Sequence, residues 1–74
     1  MKLQHFMEGL GILYGHCDPA DYQTGAGHDQ FFFYATRTQL SDFEVARMRE
    51  LGWFQPDHLE KDGYDPDNGW SCWV

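Results

Sequence analysis

Ser41-Asp42-Phe43-Glu44 marks where one helix of this chain must begin, and Gly52 marks where it must end. A Ser at the cap with a Glu three residues later forms a capping box, in which hydroxyl and carboxylate satisfy amides that the first helical turn leaves free. Val45, Met48 and Leu51 then make an apolar stripe with Leu40 close by, and Arg47 and Arg49 fall late, where cations suit the helix dipole. The pattern predicts a helix over about residues 41–51 with Gly52 as a left-handed terminator.

The rest of the chain has to build a core around that helix from few residues. At 74 residues it holds one small domain, 1–74, and a chain of this size buries only about 60% of its unfolded surface. Six Phe, four Tyr and three Trp, each removing about 150 to 250 Å² from water when buried, favour a folded domain over disorder. Leu3, Phe6, Met7, Leu10 and Leu13 recur at helical spacing and predict a helix over about residues 3–14, which Gly15 can end. Asp18-Pro19 and the small, polar residues up to Gly27 read as a loop. Phe31-Phe32-Phe33-Tyr34-Ala35-Thr36 reads as a strand with two aromatic faces, suited to a central position or to a face reserved for a partner. Trp53-Phe54-Gln55 and Trp70-Ser71-Cys72-Trp73-Val74 read as the arms of a long-looped hairpin, with Pro56 making the first arm irregular. This order predicts an α+β fold, two helices packed on a three-stranded, mainly antiparallel sheet.

Charge narrows the function. Twelve Asp and Glu against five Lys and Arg give a formal net charge of −7, which leaves no basic face for phosphates and excludes direct nucleic-acid binding. No apolar run approaches the roughly 18 residues of a membrane span, and the first residues lead into no signal-peptide core, so the expectation is a cytosolic chain with no membrane partner. Cys17 and Cys72 are too few for a disulfide framework and are expected as free thiols.

Asp57, Glu60, Asp62, Asp65 and Asp67 stand against Lys61 alone and hold more than half of the excess charge. Such a cluster can be a solvated loop that keeps an aromatic domain in solution, or an anionic surface that meets a basic partner by standing in for phosphates. An exposed aromatic beside the carboxylates, such as Tyr64, would be an anchor for that partner. Asp65-Pro66-Asp67-Asn68-Gly69 resembles part of a calcium loop, but its Gly stands one place early and the closing Glu is missing. His16, Cys17, His28 and Cys72 could supply a zinc site, though without close ligand spacing. Cys17 with His28 or His58 could be written as nucleophile and base, but nothing places them together, and no catalytic residue is assigned.

The Gly27-His28-Asp29 lead into an aromatic strand, the Leu51-Gly52-Trp53 helix exit and the terminal Trp resemble a pattern of small acidic proteins of phages and other mobile elements, over roughly the last two thirds of the chain. In size and charge the chain is similar in kind to anti-CRISPR proteins. That resemblance implies a compact, non-enzymatic inhibitor that binds a host complex by surface complementarity, and it assigns no individual residue a role. The leading expectation is therefore an acidic inhibitor of a basic nucleic-acid-binding complex, CRISPR-Cas being the class the resemblance names. Asp57, Glu60, Asp62, Tyr64, Asp65 and Asp67 are its contact residues, and no cofactor is required. The alternatives are a small zinc or calcium module, and an acidic domain without inhibitory role whose aromatic faces mediate a homodimer.

Overall fold

A computed structural model describes residues 1–21, 24–56, 64, 65 and 67–74. Along the chain these form α1 (Leu3–Tyr14), β1 (Thr24–Ala26), β2 (Gln30–Phe33), α2 (Asp42–Leu51) and β3 (Trp70–Trp73). The strands make an antiparallel sheet in the order β1-β2-β3, so the α+β class expected from the sequence is correct.

Helix α2 starts and stops on its local signals. Ser41 Oγ accepts the Glu44 N–H at 3.1 Å, and the Glu44 carboxylate accepts the Ser41 N–H at 3.0 Å. Gly52 at φ 98° closes a Schellman turn, with its N–H on Arg49 C=O at 3.1 Å and the Trp53 N–H on Met48 C=O at 2.9 Å. The residue at that position must adopt positive φ, which glycine does at no steric cost.

Two sequence expectations about strands are corrected. The stretch read as a loop up to Gly27 contains β1, whose Thr-Gly-Ala composition has little strand preference and is held by pairing with β2 in the register Thr24↔Phe33, Gly25↔Phe32, Ala26↔Phe31. Conversely, Trp53-Phe54-Gln55 makes only an isolated bridge, Phe54↔Ser71, and Pro56 has no N–H with which to continue a ladder. The aromatic strand also ends at Phe33, three residues early. Beyond it Tyr34 C=O accepts the Asp65 N–H at 2.9 Å and the Thr36 N–H donates to Asn68 C=O at 3.0 Å, so this stretch is tied to the acidic turn instead.

The core lies between the helices and one sheet face. Phe33, Trp70 and Cys72 from the sheet meet Leu13 of α1, Met48 and Leu51 of α2, and Trp53. Trp53 is the centre of this packing. Phe6 stacks on it at 5.7 Å, Phe31 meets it edge-on at 6.0 Å, and its Nε1 donates to His5 C=O at 3.4 Å. Gly9 lies directly against the indole, where any Cβ would overlap the ring. On the opposite face Ser71 is fully buried, accepting from Gln30 Nε2 at 2.7 Å and donating to Phe31 C=O at 2.8 Å. Phe54 stacks there on Trp73 at 5.9 Å. Both faces of β2 thus carry buried aromatics, as its sequence requires.

Candidate functional site

Of the residues expected to meet a partner, Asp57, Glu60 and Asp62 lie outside the described residues, whereas Tyr64, Asp65 and Asp67 can be placed. Asp65 is the hub of its own turn. Its carboxylate accepts the Asp67 N–H at 2.9 Å and Asn68 Nδ2 at 3.0 Å, and its C=O accepts the N–H groups of Asn68 and Gly69 at 3.2 and 2.6 Å. Those donors, the Asp67 N–H first, hold the carboxyl below its usual range. Tyr64 is half-buried, with its hydroxyl donating to Pro56 C=O and its ring against Gly69, where a Cβ would overlap it. Asp67 is exposed at the tip. Asp65 and Tyr64 therefore brace the turn, and Asp67 is the carboxylate it presents.

Two of the cations, Arg37 and Arg47, are engaged within the chain. Arg37 grips Asp21 through Nε and Nη2 at 2.7 and 2.6 Å, and Arg47 grips Glu8 at 2.5 and 2.9 Å while reaching Glu50 at 3.4 Å. Each guanidinium holds its carboxylate partner, Asp21 or Glu8, below the ordinary range, mainly by hydrogen bonding.

Among the described residues, two hollows on the surface bear on function. One, of about 220 Å³, lies at the C-terminal end of α1 between Leu10, Tyr14, Cys17, Pro19 and Phe33, with Asp18 at its rim. The other, of about 170 Å³, is more polar and lies between Thr36, Gln39, Val45, Gln55, Asp67 and Asn68. Leading into the first is an apolar ridge on the outside of α1, formed by Leu3, Met7 and Tyr14 at 75, 57 and 61% exposure. The spacing put Leu3, Phe6, Met7, Leu10 and Leu13 along one helix face; in the fold Phe6, Leu10 and Leu13 pack against the core while Leu3 and Met7 face solvent.

Sequence reading missed a polar link across the fold. His16 Nδ1 meets Thr38 Oγ1 at 2.8 Å, and its Nε2 lies 3.0 Å from both carboxylate oxygens of Glu44. The partners are 22 and 28 residues away, too distant for any local pattern to announce. Hydroxyl, imidazole and carboxylate stand in the order of an acid–base relay. Neither hollow is lined by His16 or Thr38, however, and Glu44 already serves the cap of α2, so the row acts as a tie between helices.

The grouping of His16, Cys17, His28 and Cys72 into a metal site is not realised. His28 is 98% exposed in the β1–β2 turn, Cys72 is buried in the core, and His16 is held by Thr38 and Glu44. Among the described residues no three His, Cys, Asp or Glu side chains are gathered as metal ligands would be. Burial pushes the Cys17 thiol up, away from the thiolate form, and His58 lies outside the described residues. Among the described residues no helix is long and apolar enough to cross a membrane.

Compared with known proteins, the chain matches no family model, no curated protein and no solved structure.

Proposed function

We propose that this chain is a non-enzymatic, acidic interaction protein that binds a basic nucleic-acid-binding protein or complex and blocks it by setting carboxylates where phosphates would otherwise lie. The observation that carries this reading is the disposition of charge. Arg37 and Arg47 are clamped by Asp21, Glu8 and Glu50, a set that is itself net −1, so −6 of the net charge of −7 falls to the rest of the chain, Asp67 on its braced turn included. Fixed anionic groups on a rigid frame steer a basic partner and compete with nucleic acid for the same Lys and Arg. A CRISPR-Cas complex is the target class that the resemblance to anti-CRISPR proteins implies.

The role of Asp65 decides how the reading is tested. Reversing it would dismantle the turn, so the informative variant replaces Asp57, Glu60, Asp62 and Asp67 by Lys and leaves Asp65 in place. Tagged wild-type protein should retain a basic nucleic-acid-binding complex from a host lysate at low salt, and release it at high salt or on addition of DNA. A folded charge-reversed variant that retains and inhibits the same complex undiminished would refute the mechanism.

A further inference from the structure

Helix α1 has three sides, and among the described residues two of them are accounted for by the fold. Phe6, Gly9 and Leu13 face Trp53 and the core, and Glu8 faces α2 through its ion pair with Arg47. The third side carries Leu3, Met7 and Tyr14 in the open, with Leu10 between them half-buried against the core. A helix side turned to water is ordinarily polar; this one is apolar, and three of its four residues are more than half exposed. The residues follow one another at intervals of four, three and four, the spacing of a helix–helix seam, over about 16 Å of helix. The ridge does not end at Tyr14, because Leu10 and Tyr14 also form one wall of the hollow that continues through Cys17 to Asp18.

Charge indicates what such a seam would accept. Asp21 in the wall of the hollow is paired with Arg37, and Asp18, exposed beside it with one carboxylate oxygen on the Ala20 N–H, is the carboxylate that the hollow presents to a further cation. A second copy of this chain would bring a net charge of −7 against −7. We propose that the outer side of α1 docks an amphipathic helix of a basic partner protein, with that helix's apolar residues seated on Leu3, Met7, Leu10 and Tyr14 and a lysine or arginine reaching Asp18. This deepens the reading of the chain as an acidic binder and rests on it for the sign of the partner's charge.

A synthetic peptide of about 18 residues, with leucines at four-three-four spacing and lysines elsewhere, is long enough to be helical and serves as the probe. Fluorescence anisotropy with the full chain should show binding that weakens at least about tenfold with a shuffled peptide of the same composition, and by as much in Met7→Glu and Tyr14→Glu, whose folding is checked by circular dichroism. Both substitutions add negative charge, so simple attraction would strengthen binding where a seam is disrupted. Equal affinity for the shuffled peptide, or unchanged or tighter binding by the two variants, would overturn the seam and leave the acidic-binder reading standing. Equally tight binding of the matching leucine–glutamate peptide would overturn the basic partner instead. A dimer in sedimentation that Met7→Glu abolishes would assign the seam to a second copy and overturn the proposal.

Discussion

The His16 imidazole lies 3.0 Å through Nε2 from both carboxylate oxygens of Glu44 and 2.8 Å through Nδ1 from the Thr38 hydroxyl, so one side chain just past α1 braces the N-terminus of α2. Glu44 is thereby shared between the capping box and an interhelical contact, and its carboxyl is held below the usual value of 4.5, first by the Ser41 N–H and then by His16. A carboxyl depressed in the folded state adds stability above its unfolded pKa and loses it as pH falls through the lower folded value. Glu44→Gln should therefore melt below wild type at pH 7, and the two melting temperatures should converge as pH falls well below 4.5. Thermal melts across pH 2.5–7 read this directly, and a constant gap would show that the charge of Glu44 contributes nothing.

Ser41 isolates the cap from that link. Ser41→Ala removes the hydroxyl that accepts the Glu44 N–H and should cost about 1 kcal/mol, or about 4–8 °C in Tm for a domain of this size, with Ser41→Gly costing less. Denaturant titration of the three proteins would establish the order.

Gly9 and Gly11 lie two residues apart in α1 and should respond in opposite directions. A methyl at Gly9 would overlap the Trp53 indole, which Phe6 and Phe31 hold in place, so Gly9→Ala should destabilise by about 1–3 kcal/mol. At Gly11 a methyl meets nothing within 4 Å, so Gly11→Ala should stabilise by about 0.5–1 kcal/mol through helix propensity and a less entropic unfolded chain. Paired urea titrations test both signs, and a Gly9→Ala variant as stable as wild type would mean that Trp53 can move aside.

What could be read from the sequence followed the range of the forces involved. Helix α2 was legible because Ser41, Glu44 and Gly52 act within a turn or two of their own positions. Strand β1 was not, because Thr24, Gly25 and Ala26 are extended only through their register with Phe31, Phe32 and Phe33. The limits of α1 were legible, yet its spacing could not tell which flank Trp53 would cover, and so it did not show that Leu3 and Met7 stay outside. In the acidic segment, composition marks charge but not use. Only the hydrogen bonds of the turn separate Asp65, spent on Asp67 and Asn68, from Asp67 itself.

The two thiols should differ sharply in reactivity. Cys72 is fully buried and burial pushes its pKa up to about 11, whereas Cys17 is partly exposed at the wall of the α1 hollow and is raised without a large shift. Thiolate is the reacting species, so both should be slow at pH 7, Cys17 alone accelerating as pH rises toward 9 in the native protein. Mass spectrometry after timed alkylation should find one adduct on native protein and two only after unfolding. Rapid double labelling of the native state would mean that β3 opens readily.

Asp65 and Asp67 provide the test that separates architecture from contact within the acidic turn. Asp65→Ala removes the acceptor for the Asp67 N–H and for Asn68 Nδ2, and this turn also anchors Tyr34 and Thr36 through their backbone bonds to Asp65 and Asn68. Its Tm should fall, and because the carboxyl is depressed in the folded state, the loss should be full at pH 7 and shrink in acid. Asp67→Lys changes an exposed tip whose backbone C=O still accepts Gln55 Nε2, so its Tm should stay close to that of wild type while capture of a basic partner weakens. If Asp67→Lys instead lowers Tm as far as Asp65→Ala, Asp67 belongs to the framework of the turn, and the anionic surface must be sought among the remaining carboxylates.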